Sequence, residues 1–431
     1  MILYYLINAI FARDIFSVFL TFPLFVLVIT AVMNRKSKYF DIHEMVWIIV
    51  YIFFVIEPVQ AIADGHITDG PVDVLYFTRY ELMEAMVTIF IFFSLYLYNS
   101  VICYRQDHGF RTENILIGQR MMLVAFVINV FAFVGVVVTS GGITNLLAYR
   151  LEKDVSSTDF ISFPILTLQI STAFIACIAH IGAPRNFKYI STLIIAIILI
   201  LLGISQNPRN AARYFVLASW YPVVYIFMRG KISSAIAYAG IFFGLIIVMP
   251  LMNLVGREGV SLDEAARLTD FGGGVLRVPF VDVFDMSVYN IAYMESHNWY
   301  FGLKSLSIIL FLLPRNIWTD KQVWTGYEMG AILEDTKVAG TYNLSSFITV
   351  DFYADGGLFG VVIGSSIFLY IAHRYVLQSK VTLNGVDLQG AIITASVPIL
   401  IRGPFGGNVY LTFAELVLVY LMQKASRIGS K

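Results

Sequence analysis

The sequence predicts an all-α, multi-pass membrane protein, and three observations predict it. Mean hydropathy is +0.77, 58% of residues are hydrophobic and only 13% charged. Apolar runs also recur near the about 20 residues that a helix needs to cross a bilayer. This composition excludes a soluble globular domain. Reading apolar windows along the 431 residues gives eleven spans, at 15–33, 45–63, 82–103, 121–139, 161–181, 189–204, 214–228, 232–255, 346–371, 388–401 and 409–422. The stretch 1–12 is apolar but short and 305–314 cannot cross alone, so the count is about eleven and at most fourteen.

Charge sets the orientation. The loops placed on the cytoplasmic side carry Arg35, Lys36, Lys38, Arg105, Arg111, Arg120, Arg185, Lys188, Arg229, Lys231, Arg374, Lys380, Lys424, Arg427 and Lys431, fifteen of the 29 basic residues. Only Asp41, Glu44, Asp107, Glu113 and Asp387 oppose them there. By the positive-inside rule the C-terminus is cytoplasmic. A net charge of zero thus hides two oppositely charged faces, and neither argues for nucleic acid. The N-terminus has no basic n-region and no small-residue cleavage site, so no removable signal peptide is expected. Cys103 and Cys177 fall near cytoplasmic span ends, where a disulfide is unexpected and packing is the simpler role.

The chain has neither an internal repeat nor a low-complexity segment and is expected to be a single integral membrane domain, 1–431. Its one elaboration is the long external loop 256–343, too long for a mere connection. Ser261-Leu262-Asp263-Glu264 has capping-box spacing and predicts a short helix. Pro279 suits the first turn of a second helix, with Phe280, Phe284, Ser287, Val288 and Ile291 on one stripe and Asp282, Asp285 and Tyr289 on another. Residues 305–314 read as a re-entrant or interfacial segment. Gly272 to Gly274 lack the Lys-Ser/Thr that follows a phosphate loop and read as a hinge.

The external face collects arginines. Arg150, Arg209, Arg213, Arg277, Arg315 and Arg402 sit at loop edges from separate parts of the chain, and guanidinium forks grip phosphate oxygens in pairs. Singly, each also reads as a snorkelling or ion-paired side chain. Asp282 and Asp285, three apart on one helix, suit either a general base or neutralisation of nearby arginines. Asp351 and Asp355 have the same two readings where the ninth span begins, and Glu57 and Glu415 are further acids within spans. Only His66 and His297 lie outside, too few for a histidine metal site. No Asp-x-Asp pair occurs, so no metal and no cofactor is called for; a leaving diphosphate can be stabilised by arginine alone. Among the loop aromatics Tyr289, Tyr293, Trp299, Tyr300, Trp318, Trp324 and Tyr327, the pair Trp318 and Trp324 flanking Lys321 suits sugar stacking, while headgroup anchoring is the alternative.

Several short motifs then carry a resemblance. Gly141-Gly142-Ile143 leads to Arg150, Asn207-Pro208-Arg209-Asn210 joins two spans, and Leu313-Pro314-Arg315-Asn316-Ile317-Trp318-Thr319-Asp320-Lys321 ends the long loop. With Phe347, Asp351-Phe352-Tyr353, Gly356-Gly357 and the Arg402-Gly403 turn, the chain over about 135–422 resembles the Wzy-type O-antigen and enterobacterial-common-antigen polysaccharide polymerases. The resemblance implies a GT-C-like helix bundle in the bacterial inner membrane. It implies undecaprenyl-diphosphate-linked oligosaccharides as donor and acceptor, with a chain-length regulator and a flippase as partners. It also implies Arg150, Arg209, Arg277 and Arg402 as diphosphate or glycan contacts, with Arg315 and Lys321 nearby. Thr319-Asp320-Lys321-Gln322 departs from the family pattern in lacking a proline after the basic residue. An O-antigen ligase and a lipid-linked oligosaccharide flippase are the rival expectations.

Overall fold

The computed structural model describes residues 1–12, 14–34, 39–64, 78–106, 113–147, 159–206, 213–244, 283–310, 313, 317–326, 328–329, 346–376, 381–402 and 405–428. Among these, seven helices are long and apolar enough to cross a membrane: Ile15–Met33, Ile42–Ile62, Arg79–Ile102, Gln119–Thr139, Pro164–Ile181, Arg185–Ser205 and Ile348–Tyr375. Shorter apolar helices stand at Ile2–Ala12, Val216–Phe227, Ser234–Phe243, Leu388–Arg402 and Thr412–Leu421. The protein is an all-α, multi-pass membrane protein. A helix occupies each of the eleven apolar windows, the one at 232–255 being described as far as Gly244.

Two apolar cores fill the bundle. The first surrounds the Ile42–Ile62 helix, in which every residue from Glu44 to Val59 is buried, and includes Phe92, Phe93, Phe284, Val288, Phe347 and Phe352. A π-helical turn, Ile52–Ile56, interrupts that helix. The second core gathers Ile170 and Phe174 of the Asp159–Ile181 helix with Ile194, Leu202, Leu383 and Ile392. Leu388–Arg402 joins the two, giving Leu388 and Ile392 to the second and Val397 and Ile401 to the first. Cys177 is a free, buried thiol of the second core, as packing requires.

One end of the bundle is tied by polar staples. Glu113–Ile115 pairs in parallel with Val381–Leu383, and the turn that follows places Asn384 and Gly385 at φ +48° and +80°. The Asn384 side chain accepts the Ile117 amide at 2.9 Å and donates to the carbonyls of Ile117 and Ile178 at 3.2 and 2.8 Å. Nearby, Glu44 accepts from Ser234 Oγ at 2.8 Å and from the Tyr238 hydroxyl at 3.2 Å, fixing the Ser234–Phe243 helix.

The other end is shaped by a broken helix. Ile348–Ile371 is interrupted at Gly356 and at Gly357, the latter with φ +60° and ψ −147°, a conformation open to glycine. Irregular backbone within a span is tolerated where protein covers it. Here Trp299 does so, its ring 3.5 Å from where a Gly357 side chain would begin.

Candidate functional site

The segment after the Val283–Glu295 helix docks onto this broken span. Tyr300 donates its amide to the Ala354 carbonyl at 3.0 Å. Asp355 accepts the amides of Lys304 and Ser305 at 2.9 and 2.8 Å, and the Ser305 hydroxyl at 2.5 Å. Asp355 thereby satisfies orphan donors at the start of the short Leu303–Ile309 helix, work that an N-cap residue does in longer helices. Ala354 and Asp355 lie about 10 Å along the helix from Ile348, at 1.5 Å per residue, so the segment runs beside the span rather than above it. Its outward side is apolar, with Phe301, Leu306 and Ile309 exposed.

Buried charge holds the dock together. Lys304, 1% exposed, pairs with Glu328 and donates to the Val323 carbonyl at 2.6 Å. Its ammonium also lies 4.3 Å from the centre of the Tyr300 ring. The Tyr300 hydroxyl donates to Glu328 at 2.5 Å, and burial together with that carboxylate pushes the phenol pKa up. Asp351 Oδ1 accepts the amide and the hydroxyl of Thr325 at 3.1 and 2.5 Å. The described part of the cluster therefore divides its work: Glu328 meets the Lys304 ammonium, Asp355 holds the Lys304 and Ser305 amides, and Asp351 holds Thr325. Lys304, Glu328 and Thr325 escaped the sequence reading. A lone lysine in the apolar run Phe301 to Leu313 was the available signal, since such a cation needs a buried partner.

The residues proposed from sequence fare unevenly. Asp285 is in the first turn of Val283–Glu295 and is buried. Val283 to Val288 are buried on every side, Asp285 with them, whereas beyond these first turns Tyr289, Ala292 and Tyr293 are half-buried and Ile291 and Met294 buried, so the two-faced pattern read from sequence holds only in the later turns. Lys321 is mostly buried and donates to the carbonyls of Leu310 and Leu313 at 3.3 and 2.9 Å, closing the end of the Leu303–Ile309 helix. Trp324 packs against the first core and Trp318 is half-buried. Arg402 ends its helix, and its carbonyl accepts the Ser346 amide at 3.0 Å, tying two helix ends together. Arg213 begins the Arg213–Phe227 helix. Arg150, Arg209, Arg277, Asp282 and Arg315 lie outside the described residues, as do Tyr327, His66, the 261–264 capping box and Gly272 to Gly274.

Among the described residues, no three His, Cys, Asp or Glu side chains group as a metal site. No protein-family model, no curated protein and no solved structure matches the chain. The site thus stands on its own geometry: a polar, charge-bearing dock at one end of a membrane bundle, built from Val283–Glu295, residues 299–329, the start of Ile348–Ile371 and the end of Leu388–Arg402.

Proposed function

We propose that the chain is a polysaccharide polymerase of the bacterial inner membrane. It joins lipid-linked oligosaccharide repeat units at the external face, and the four shorter helices at the remaining windows complete eleven spans. The observation that carries the reading is the dock. A membrane protein gains little from burying an ionic cluster in a loop unless the loop must be held in one geometry, and the loop so held ends in one of the motifs that carry the sequence resemblance.

In this reading the growing glycan moves from its undecaprenyl diphosphate to a sugar hydroxyl of the incoming unit. Arg150, Arg209, Arg213, Arg277, Arg315 and Arg402 bind the donor and stabilise the charge that develops on the leaving diphosphate. Trp318 and Trp324 offer ring faces to sugars, and a carboxylate takes the hydroxyl proton, with Asp282 and Asp285 the candidates from sequence. A chain-length regulator and a flippase are the protein partners. One observation favours an O-antigen ligase as the second reading. The exposed His297 has Nδ1 2.7 Å from the Tyr293 carbonyl, so Nδ1 donates there and the lone pair of the neutral ring sits on Nε2.

The test uses purified full-length protein with undecaprenyl-diphosphate-linked repeat units. A polymerase extends them into a ladder. Arg277→Ala, Arg209→Ala and Arg402→Ala each lose about one to two decades of rate, the value of a charge-assisted contact made in the transition state. Transfer only to lipid A core acceptors, abolished by His297→Ala, replaces this reading with the ligase.

A further inference from the structure

The dock leaves five buried atoms unused. Asn290 Oδ1 and Nδ2, Ser346 Oγ, Thr349 Oγ1 and Asp351 Oδ2 have no hydrogen-bonding partner among the described residues, although their side chains are at most 2% exposed. Asn290 belongs to Val283–Glu295, Thr349 and Asp351 to the first turn of Ile348–Ile371, and Ser346 lies two residues before that helix; the two helices pack against each other. Each unmet buried group costs about 1–3 kcal/mol. Native interiors rarely keep such groups without a reason. Five of them on two neighbouring elements therefore call for a ligand that supplies the missing bonds.

Their chemistry selects the ligand. A carboxylate oxygen and an amide oxygen accept, an amide nitrogen donates, and two hydroxyls do both. Phosphate needs donors and is repelled by Asp351, and an apolar chain offers these groups nothing. Sugar hydroxyls, each both donor and acceptor, match the set. Asp351 is also held in one pose, because Thr325 grips Oδ1 through two bonds and leaves Oδ2 free.

We infer that Asn290, Ser346, Thr349 and Asp351 form the subsite for the acceptor sugar, and that Asp351 Oδ2 takes the proton of the attacking hydroxyl. This rests on the polymerase reading and deepens it. In the step, the acceptor O–H bond breaks and its proton passes to Asp351 Oδ2. The acceptor oxygen bonds the donor's anomeric carbon, and the anomeric C–O bond breaks with its electron pair leaving on the diphosphate. The proton on Asp351 then returns to water.

The experiment measures elongation and donor binding for the full-length protein in lipid nanodiscs, with lipid-linked repeat units as donor and acceptor. Asn290→Ala and Thr349→Val raise the acceptor KM roughly tenfold, the cost of a lost hydrogen bond to a sugar, and leave donor binding as in the wild type. Asp351→Asn lowers kcat by roughly 100-fold or more and removes the acid limb of the pH profile, as loss of a general base requires, while Asp285→Asn keeps that limb. An Asp351→Asn protein that turns over normally, or an acid limb that vanishes in Asp285→Asn and persists in Asp351→Asn, overturns the assignment of the base. An unchanged acceptor KM in both Asn290→Ala and Thr349→Val overturns the subsite. Should Asp351→Asn not survive purification, those two variants decide alone. If the wild type itself elongates nothing, the polymerase reading falls, and this inference with it; if the wild type elongates and the variants match it, the inference alone falls.

Discussion

Asp355 holds Lys304 by its main chain, while the Lys304 side chain reaches the other way to Glu328. One lysine is thus gripped from two elements, its amide by the broken span and its ammonium by the 317–329 segment. Asp355→Ala removes acceptors for two amides and a hydroxyl. The expected cost is about 1.5–3 kcal/mol, the value of bonds to a charged group. Thermal unfolding in detergent measures it, and limited proteolysis should show new cleavage between 296 and 320.

The pair Lys304 and Glu328 should couple strongly. Glu328→Gln strands a buried ammonium and is expected to cost about 3 kcal/mol, whereas the double variant Lys304→Met with Glu328→Gln recovers most of that loss. A double-mutant cycle reads the coupling directly. Additive losses would show that the ammonium finds an equal partner elsewhere.

Gly357→Ala should destabilise the span by about 1–3 kcal/mol, because its backbone lies in a region closed to residues with a side chain. Gly240, inside the Ser234–Phe243 helix with no neighbour near its missing side chain, is the control: Gly240→Ala should hold or slightly raise the melting temperature. Equal effects at the two positions would contradict the break.

Asp387 caps the Leu388–Arg402 helix, its Oδ1 accepting the Gly390 amide at 2.8 Å, while burial pushes its pKa up against that bond. A raised folded-state pKa means that the folded protein holds the proton more tightly than the unfolded chain. The associated stability is present below the unfolded carboxylate range and is lost as pH rises through the raised value. Asp387→Asn keeps a good cap without the buried charge. It should therefore match or exceed wild-type stability at neutral pH and lack the decline between acid and neutral pH. Melting temperature against pH for the two proteins checks this.

Topology has its own test. Ser296 is exposed just after the Val283–Glu295 helix, and lies outside in the proposed orientation. A single cysteine introduced there should react with an impermeant maleimide in intact spheroplasts. Reaction only after the membrane is opened would invert the proposed orientation.

Much of the fold was legible because spans announce themselves through composition: each apolar window carries a helix. The site was less legible. Asp351 and Asp355 could be picked out as carboxylates entering an apolar stretch, but their partners Thr325 and Lys304 lie 26 and 51 positions away. Pattern reading within one helix says nothing of such pairs. Lys321 was expected near the diphosphate or glycan contacts only because the resemblance places it there; only the backbone path reveals the carbonyls of Leu310 and Leu313 that it closes. Asn290 and Thr349 carried no signal, since an uncharged polar residue in a helix is usually silent until its missing partner is seen.

The π-helical turn at Ile52–Ile56 has a consequence for how this span tolerates change in length. A wide turn accommodates one residue more than an α-helical turn, which rotates everything beyond it by roughly 100° relative to a regular helix. Glu44, bound by Ser234 and Tyr238 before the turn, and Glu57 beyond it therefore owe their relative azimuth to that single extra residue. Deleting one residue between 52 and 56 would regularise the helix and leave both acids facing their present surroundings, whereas the same deletion in the Gln119–Thr139 helix would turn every later side chain onto the wrong neighbour.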